Sequence, residues 1–177
     1  MKEVFDFLEF ITESNKIEGI DLPKQDFSEN IIRRKPEIIG QIEAIVYANT
    51  IKYPLKIEHI ESIHFLLSRE FLPPKESGKF RKIQVRVGPY IKVNPSLVPS
   101  MMKTFCEKFN CKEDPMETHY YFEVVHGFVD FNGRTGRILL LTQERLQRLP
   151  TTLIKAKNRL EYYKNIREYE LKENWKK

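Results

Sequence analysis

The sequence contains no long apolar run. A helix that spans a bilayer needs roughly 20 consecutive apolar residues, and no stretch of this chain approaches that length. The first residues, Met1 to Asp6, carry acidic side chains and no small-residue cleavage site, so a secretory leader is not predicted either. These absences predict a cytoplasmic protein with no membrane partner.

Cysteines and runs of like charge are also scarce. Cys106 and Cys111 are the only cysteines among 177 residues. Their spacing fits neither a zinc knuckle nor a redox pair, so we expect free thiols. The net charge of +5 comes from lysines and arginines that are interleaved with acidic residues, and no nucleic-acid-binding module accompanies it. A nucleic-acid partner is therefore not expected.

Helical periodicity is abundant in the sequence. Apolar residues recur at three- and four-residue spacing through most of the chain, for example in the segment that Pro36 opens. Alternation with period two occurs once, in residues 79–88, which predicts one β-hairpin between about Gly78 and Val93. The sequence therefore predicts an all-α fold with one small hairpin, formed by a single domain over residues 1–177. His64, on one of the predicted helices, is expected at the edge of the core.

One stretch, residues 126–137, concentrates most of the polar chemistry. Apolar runs precede and follow it, which predicts a helix, a tight loop and a second helix. The first N–H groups of a helix have no partner within it, and the helix dipole favours negative charge there. The amides of Asn132, Gly133 and Arg134 would form an anion cradle, and the missing Cβ of Gly133 would let an anion come close. Arg137 shares a helix face with Arg134, and two guanidinium groups suggest a polyphosphate.

Two further groups complete a candidate site. Asp130 precedes the cradle, where a single carboxylate can hold a Mg²⁺ ion that takes its other ligands from phosphate and water. His126, at the mouth of the loop, is a candidate general base. Each residue also has a plain structural alternative, namely a hydrogen-bonded core histidine, a helix N-cap and solvent-exposed arginines.

The stretch resembles the signature of the Fic (filamentation induced by cAMP) family, His-x-Phe-x-Asp/Glu-Gly-Asn-Gly-Arg-x-x-Arg, and matches all seven of its most informative positions. Phe131 departs from the signature, because the family usually has Gly or Ala there, and Gly127 replaces the commonest Pro. The resemblance implies a helical fold. It also implies a protein adenylyltransferase, which moves AMP from ATP to a hydroxyl group of a target protein.

The resemblance implies a role for each matching residue. His126 would take the hydroxyl proton, Phe128 would anchor the loop in the core and Asp130 would bind Mg²⁺. The remaining positions would bind the phosphates of ATP, with the last of them at the γ-phosphate: Asn132, Gly133, Arg134, Gly136 and Arg137.

A second motif lies upstream of the signature. Ser14, Glu18 and Gly19 resemble Ser/Thr-x-x-x-Glu-Gly/Asn, the inhibitory motif of Fic proteins whose self-inhibiting helix precedes the catalytic core. An inhibitory helix over about residues 2–19 and a catalytic core over about 36–167 are therefore expected. The Glu18 carboxylate is expected to pair with the last arginine of the signature. A Glu followed by a Gly is also an ordinary helix end.

The predicted hairpin resembles the Fic flap, which lies over the active site and aligns a segment of the target by strand addition. The alternative is a hairpin that only covers the core. The residues that carry this resemblance are Gly78, Lys79, Phe80, Arg81, Ile83 and Val85. Near the C-terminus, Asn158 and Tyr162 resemble the family's segment near the adenine.

The sequence leaves other functions open. On the same residues the protein could transfer another phosphate-linked group or, with Glu18 positioning a water molecule, remove AMP from a target. The kinase-like branch of the family typically has Lys where this chain has Gly133, which favours AMP transfer. The alternative from another functional class is a helical binding module without catalytic activity, in which Phe131 would mark the loss of that activity. The target protein, self-modification and homo-oligomerisation are also left open.

Overall fold

The structure, a computed structural model, describes residues 6–22 and 35–172 of the chain. Within those residues the backbone forms seven α-helices, and the predicted all-α fold is confirmed. In chain order they are α1 Phe7–Ile17, α2 Pro36–Thr50, α3 Ile57–Ser68, α4 Val98–Asn110, α5 Pro115–Val125, α6 Asn132–Gln147 and α7 Arg159–Lys172. Short 3₁₀ turns precede α4 and α7, at Pro95–Leu97 and Ala156–Asn158.

Capping residues explain where several helices begin and end. Asp6 accepts hydrogen bonds from two main-chain N–H groups in the first turn of α1, at 2.9 and 3.2 Å. Asp114 caps α5 in the same way, at 2.9 Å. At the other end of α1, Gly19 adopts a left-handed backbone with a φ of 80°. This turn ends the helix and leaves Glu18 at its tip.

Helix α6 runs through the middle of the fold. It packs against α1, α2, α3 and α5, and nearly every residue from Asn132 to Glu144 is buried. The core around it includes the fully buried rings of Phe105, Phe122 and Phe128. Because a close-packed interior holds its side chains in place, the groups at the start of α6 are held in defined positions.

The strands in the described part of the chain form one antiparallel hairpin. β1 Arg86–Val87 pairs with β2 Tyr90–Ile91, and Arg86 lies opposite Ile91. The Lys92 N–H extends the pairing by donating to the Val85 carbonyl at 3.1 Å. The hairpin lies within the predicted region, but it is shorter than the prediction.

Residues 78–85 form turns and irregular backbone and not the first half of a strand. The main chain there finds a partner outside any sheet, because the Arg81 N–H donates to the carbonyl of Gly127 at 2.9 Å. The period-two pattern therefore predicted too long a strand, since a distant loop binds the backbone that a neighbouring strand would have used.

Residues 1–5, where the first helix was predicted to begin, lie outside the described residues. His64, predicted at the edge of the core, is fully buried, because both of its ring nitrogens have polar partners in the interior. No helix within residues 6–22 and 35–172 combines the length and apolar character needed to cross a membrane.

Candidate active site

His126 occupies the junction between α5 and the loop that leads to α6. It caps the last turn of α5 in a left-handed conformation with a φ of 50°. Burial and the nearby charge of Lys92 lower the pKa of His126 to about 3, while the carbonyl of Glu123 acts in the opposite direction. The imidazole is therefore neutral at neutral pH and has a lone pair that can accept a proton.

The side chain of Asn132 ties the signature loop together. Its Oδ1 accepts a hydrogen bond from the Phe128 N–H at 2.9 Å, and its Nδ2 donates to the Phe128 carbonyl at 3.0 Å. Phe128 is fully buried, as an anchor must be. The side-chain amide of Asn132 is thus used within the loop, and its main-chain N–H, in the first turn of α6, is the group that can serve the cradle.

His64 connects the signature loop to the base of the flap. Its Nδ1 accepts a hydrogen bond from the Gly78 N–H at 2.9 Å, so Nε2 carries the proton and donates to the Asp130 carbonyl at 3.1 Å. The ring stacks on Phe128 with centroids 3.8 Å apart. Burial lowers the pKa of His64 to about 4, which keeps the ring neutral. Sequence reasoning missed this role because the two partners lie 14 and 66 residues away.

Arg81 has a different role from the one predicted for the flap. It is 3% exposed, and its guanidinium donates to the carbonyls of His126, Ile83 and Val93 at 2.7, 3.0 and 2.7 Å. The side chain thus fastens both ends of the flap to the main chain of the candidate base. Of the other predicted flap residues, Ile83 is exposed and Phe80 packs against the core.

Glu18, Gly133 and Arg137 meet at the start of α6. Oε1 of Glu18 lies 2.6 Å from Nη2 of Arg137, which confirms the predicted contact. A Cβ atom on Gly133 would collide with the Glu18 carboxylate and would lie 2.9 Å from Nη1 of Arg137. Glycine therefore allows the carboxylate to lie against the first turn of α6, where the helix favours negative charge.

Ser14 strengthens the same connection between α1 and α6. Nε of Arg137 donates to Ser14 Oγ at 2.9 Å, and Nη2 donates to the Ser14 carbonyl at 3.0 Å. Burial by itself would lower the pKa of Arg137, but Glu18, Tyr162 and Glu123 outweigh it, so that the pKa is raised. One buried guanidinium therefore stays charged and attaches α1 to the start of α6.

The ring of Phe131 is buried beneath the guanidinium of Arg134. Its backbone is left-handed, with a φ of 59°, a conformation that favours glycine. The ring is 5% exposed, its centroid lies 5.5 Å from that of Phe71, and the guanidinium of Arg134 lies 3.7 Å above it. The departure from the family signature thus gives Arg134 an aromatic platform.

Gly136 does not face the cradle, so the prediction that it binds phosphate is corrected. It lies where α6 packs against α5. A Cβ atom there would collide with the Glu123 carboxylate and would lie 2.9 Å from Phe122 Cδ1 and 3.2 Å from His119 Cε1. The missing side chain serves the close approach of two helices.

A cavity of about 390 Å³ connects the groups of the site. Its polar end is formed by Glu18, Gly133 and Arg137, with His126 in the wall. Its other end lies between the hairpin tip and α7, and is lined by Val87, Gly88, Pro89, Tyr90, Tyr162, Tyr163, Ile166, Arg167 and Glu170. Asn158, predicted near the adenine, is exposed in the turn before α7 and does not line this cavity.

Tyr162 faces the cavity and is anchored behind it. Its hydroxyl lies 2.8 Å from Nε2 of His119. Burial raises the pKa of Tyr162 well above its usual value, and burial lowers the pKa of His119 to about 3. Both groups are neutral, and the hydrogen bond between them holds the tyrosine in the wall.

Asp130 is the candidate metal ligand, and its surroundings fit that role. Oδ1 accepts a hydrogen bond from the Phe131 N–H at 2.6 Å, which orients the carboxylate and leaves its second oxygen for another ligand. No group of three or more metal-binding side chains occurs within residues 6–22 and 35–172. A site with one carboxylate suits Mg²⁺, which usually keeps water and phosphate oxygens as its other ligands.

Two buried charged residues in the cavity wall were not predicted from the sequence. Glu123 and Lys92 are 7% and 8% exposed. Burial raises the pKa of Glu123 to about 7, although Arg137 opposes the shift. Burial lowers the pKa of Lys92. The signal in the sequence was a carboxylate inside the apolar run that leads to His126.

The fold and the site together define a helical domain whose central helix begins with a histidine-led loop and an anion cradle. A model of the Fic/DOC family matches residues 54–143, just over half of the chain, and the chain therefore belongs to that family. Protein adenylyltransferase fic-1 from Caenorhabditis elegans is 34% identical over 149 residues, which cover 76% of this chain. That alignment covers 29% of the relative, so the chain spans less than a third of its length.

Solved structures show the same fold. Fic-1 from C. elegans matches with a TM-score of 0.76 and 24% identity, covering 96% of this chain and 60% of that chain. A Fic domain containing signaling protein from Bacteroides thetaiotaomicron VPI-5482 matches with a TM-score of 0.73 and 20% identity, covering 93% of this chain and 72% of that chain. At these identities the likeness establishes the fold.

Proposed function

We propose that the chain is a protein adenylyltransferase, which transfers AMP from ATP to a hydroxyl side chain of a target protein. The observation that carries the proposal is the convergence of His126, Gly133 and Arg137 on one cavity. A neutral base there lies beside main-chain amides and a buried guanidinium, which together bind phosphate. The name of the C. elegans relative supports the same chemistry.

In this reaction His126 accepts the proton of the target hydroxyl while the hydroxyl oxygen forms a bond to the α-phosphorus of ATP. The bond from that phosphorus to the oxygen bridging to the β-phosphate breaks, and pyrophosphate leaves with the electron pair. The N–H groups at the start of α6 stabilise the charge on the phosphates. Phosphates beside the ring also raise the pKa of His126 from its low value, which makes it a stronger base.

Asp130 would hold Mg²⁺, with phosphates and water as the remaining ligands. Bound there, the ion would neutralise part of the phosphate charge. Omitting Mg²⁺ or replacing Asp130 by Asn is expected to reduce transfer strongly while the fold is retained. Transfer that is unchanged by a chelator would contradict this part of the proposal.

Glu18 is proposed to restrain the reaction, with α1 as the inhibitory helix of a single domain. Its carboxylate occupies the position beside Gly133 and Arg137 that the γ-phosphate would take. Two negative groups at one site repel each other. ATP therefore binds productively when Glu18 moves away, and binds weakly or with displaced phosphates when it stays.

The hairpin is proposed to align the target. Val87, Tyr90 and Ile91 are 41%, 45% and 60% exposed, and the hairpin lies beside the cavity. Its outer main-chain edge can accept an extended segment of another protein. Self-modification is the first product expected in a purified preparation, because the protein is then its own nearest target.

Mass spectrometry of the intact protein after incubation with ATP and Mg²⁺ tests the proposal. Wild type and Glu18→Gly are compared, with His126→Ala as the matched inactive control. Added AMP that depends on His126 supports adenylyl transfer. Added phosphate indicates the kinase-like alternative, and loss of AMP already attached indicates the removal reaction. No change in any of these variants, alone or with cell extract as the source of targets, argues for a binding module.

A further inference from the structure

Lys92 is a charged residue in the active-site cavity to which the proposed reaction assigns no role. It follows β2, and the flap backbone holds it there. Its N–H donates to the Val85 carbonyl at 3.1 Å, and its carbonyl accepts from Nε2 of Gln84 at 2.6 Å. The side chain is buried and lines the cavity beside His126. Its charge is close enough to contribute to the low pKa of His126.

The other cations that line this cavity are already bound. Arg137 donates to Glu18 at 2.6 Å. Arg167 pairs with Glu170 at 2.5 Å and lies 4.4 Å above the ring of Tyr90. The Lys92 ammonium, in contrast, forms no hydrogen bond or ion pair with any residue in 6–22 or 35–172.

A largely buried lysine without a partner is costly, because its ammonium group loses part of its hydration and gains no hydrogen bond from the described chain in return. Burial lowers the pKa of Lys92, which expresses the same cost. Glu123 and Glu170 lie close enough to favour the charged form, but neither forms an ion pair with it. Such a group is stabilised when an anion enters the cavity and accepts its hydrogen bonds.

We propose that Lys92 is a further substrate-binding residue, which forms an anion subsite for the phosphate chain of a nucleotide beside His126. The subsite differs from the cradle in one respect. The cradle and Arg137 are covered by Glu18, whereas Lys92 is free in the same structure. A nucleoside phosphate can therefore contact Lys92 before Glu18 moves. The inference rests on the proposed nucleotide site and adds one residue to it.

Calorimetric binding of α,β-methylene-ATP with Mg²⁺ tests the inference without requiring any transfer. Lys92→Met removes the charge and keeps the length of the side chain, and Lys92→Arg keeps a cation. Lys82→Met is the matched control, because Lys82 lies in the same segment and is exposed. Lys92→Met is expected to weaken binding roughly tenfold, the effect of losing one charge-assisted hydrogen bond. Lys82→Met is expected to bind as wild type does, and Lys92→Arg to recover most of the lost affinity.

A second measurement separates binding from folding. Replacing a largely buried, unpartnered lysine by Met removes the cost of partly dehydrating its ammonium group, so the Tm of Lys92→Met in the absence of nucleotide is expected to rise by ~2–4 °C. A lysine that only supported the fold would lower the Tm when replaced. Weaker binding together with a lower Tm therefore overturns the inference.

The loss of nucleotide affinity caused by Lys92→Met can also be compared with and without the Glu18 carboxylate. In wild type and in Glu18→Gly, the same roughly tenfold loss is expected for Lys92→Met, because Lys92 is free in both. A loss confined to Glu18→Gly overturns the claim that the subsite is available beside Glu18. Equal affinity of wild type and Lys92→Met in both backgrounds overturns the Lys92 assignment alone. Absence of any nucleotide binding in either background overturns the proposed function with it.

Discussion

The carboxylate of Glu18 and the guanidinium of Arg137 form an ion pair of 2.6 Å, although 119 positions separate them in the chain. The two side chains differ in burial, since that of Arg137 is 3% exposed and that of Glu18 is 31% exposed. The arginine is therefore part of the core, and exposing the glutamate to solvent would cost less than exposing the arginine. In the proposed inhibition, this asymmetry identifies Glu18 as the half of the pair that would move.

Glu18→Gly is expected to raise AMP transfer at least tenfold. A factor of ten needs about 1.4 kcal/mol, and a charge-assisted hydrogen bond contributes roughly 1.5–3 kcal/mol. Incorporation of label from α-phosphate-labelled ATP measures the change. Glu9→Gln, an exposed change on the same helix, is the control and should leave transfer at the wild-type level. Equal labelling of wild type and Glu18→Gly contradicts the inhibitory role.

Ser14→Ala is expected to raise transfer less than Glu18→Gly does. Its hydroxyl accepts one of the three hydrogen bonds that Arg137 donates to α1, and the Ser14 carbonyl and Glu18 keep the other two. The same labelling assay measures the increase in transfer. An increase larger than that of Glu18→Gly would show that attachment of α1, and not the carboxylate, controls the reaction.

His126→Ala is expected to reduce transfer by ~10²–10⁴-fold and to leave nucleotide affinity nearly unchanged, because a general base acts on the target hydroxyl and other groups bind the phosphates. Rates and calorimetry on the same preparation check both parts. Arg137→Ala is the contrasting variant, which should weaken ATP binding itself. A collapse of ATP affinity in His126→Ala would mean that the base assignment is wrong.

Phe131→Gly is expected to destabilise the fold less than Phe131→Ala. Both variants lose the buried ring, a change that typically costs ~3–5 kcal/mol. Only glycine relieves the left-handed backbone, which costs an L residue about 1–2 kcal/mol. Denaturant unfolding measures which of the two variants is the more stable. Phe105, a fully buried ring inside α4, is the matched control, and there the Gly variant should be the less stable one, by about 1 kcal/mol.

Glu123→Gln is expected to change how stability depends on pH. The pKa of Glu123 is raised from 4.5 to about 7 in the folded state, mainly by burial. The native protein therefore binds more protons than the unfolded chain between these values. The contribution of Glu123 to the stability of the fold is fully present below pH 4.5 and is lost as the pH rises towards 7.

The relevant quantity is the difference in unfolding free energy between Glu123→Gln and wild type at each pH. It should grow in favour of the variant from about pH 4.5 to 7, by up to roughly 3 kcal/mol, and then level off. The difference isolates Glu123 from His64, His119 and His126, whose lowered pKa values act in the opposite direction and are shared by both proteins. A difference that does not vary with pH would contradict a buried, titrating Glu123.

Local patterns in the sequence determined most of the helices and the composition of the site. Periodicity, Pro36 at a helix start, and caps such as Asp114 and Gly19 depend on residues within about four positions, so they can be seen in one stretch of sequence. The candidate base, the metal ligand and the cradle likewise lie close together in the sequence. Their density within twelve residues made the active-site prediction possible.

Tertiary structure decided which of those residues face the cavity and which hold it together. Arg81 became a clamp, Gly136 a packing position and His64 a link between loop and flap, because each one meets partners that are distant in the chain. The burial of Lys92 and Glu123 depends on how α5, α6, α7 and the flap enclose one space. A charged residue looks the same in the sequence whether its side chain is hydrated or buried, and only the packed fold determines the energy of its charge.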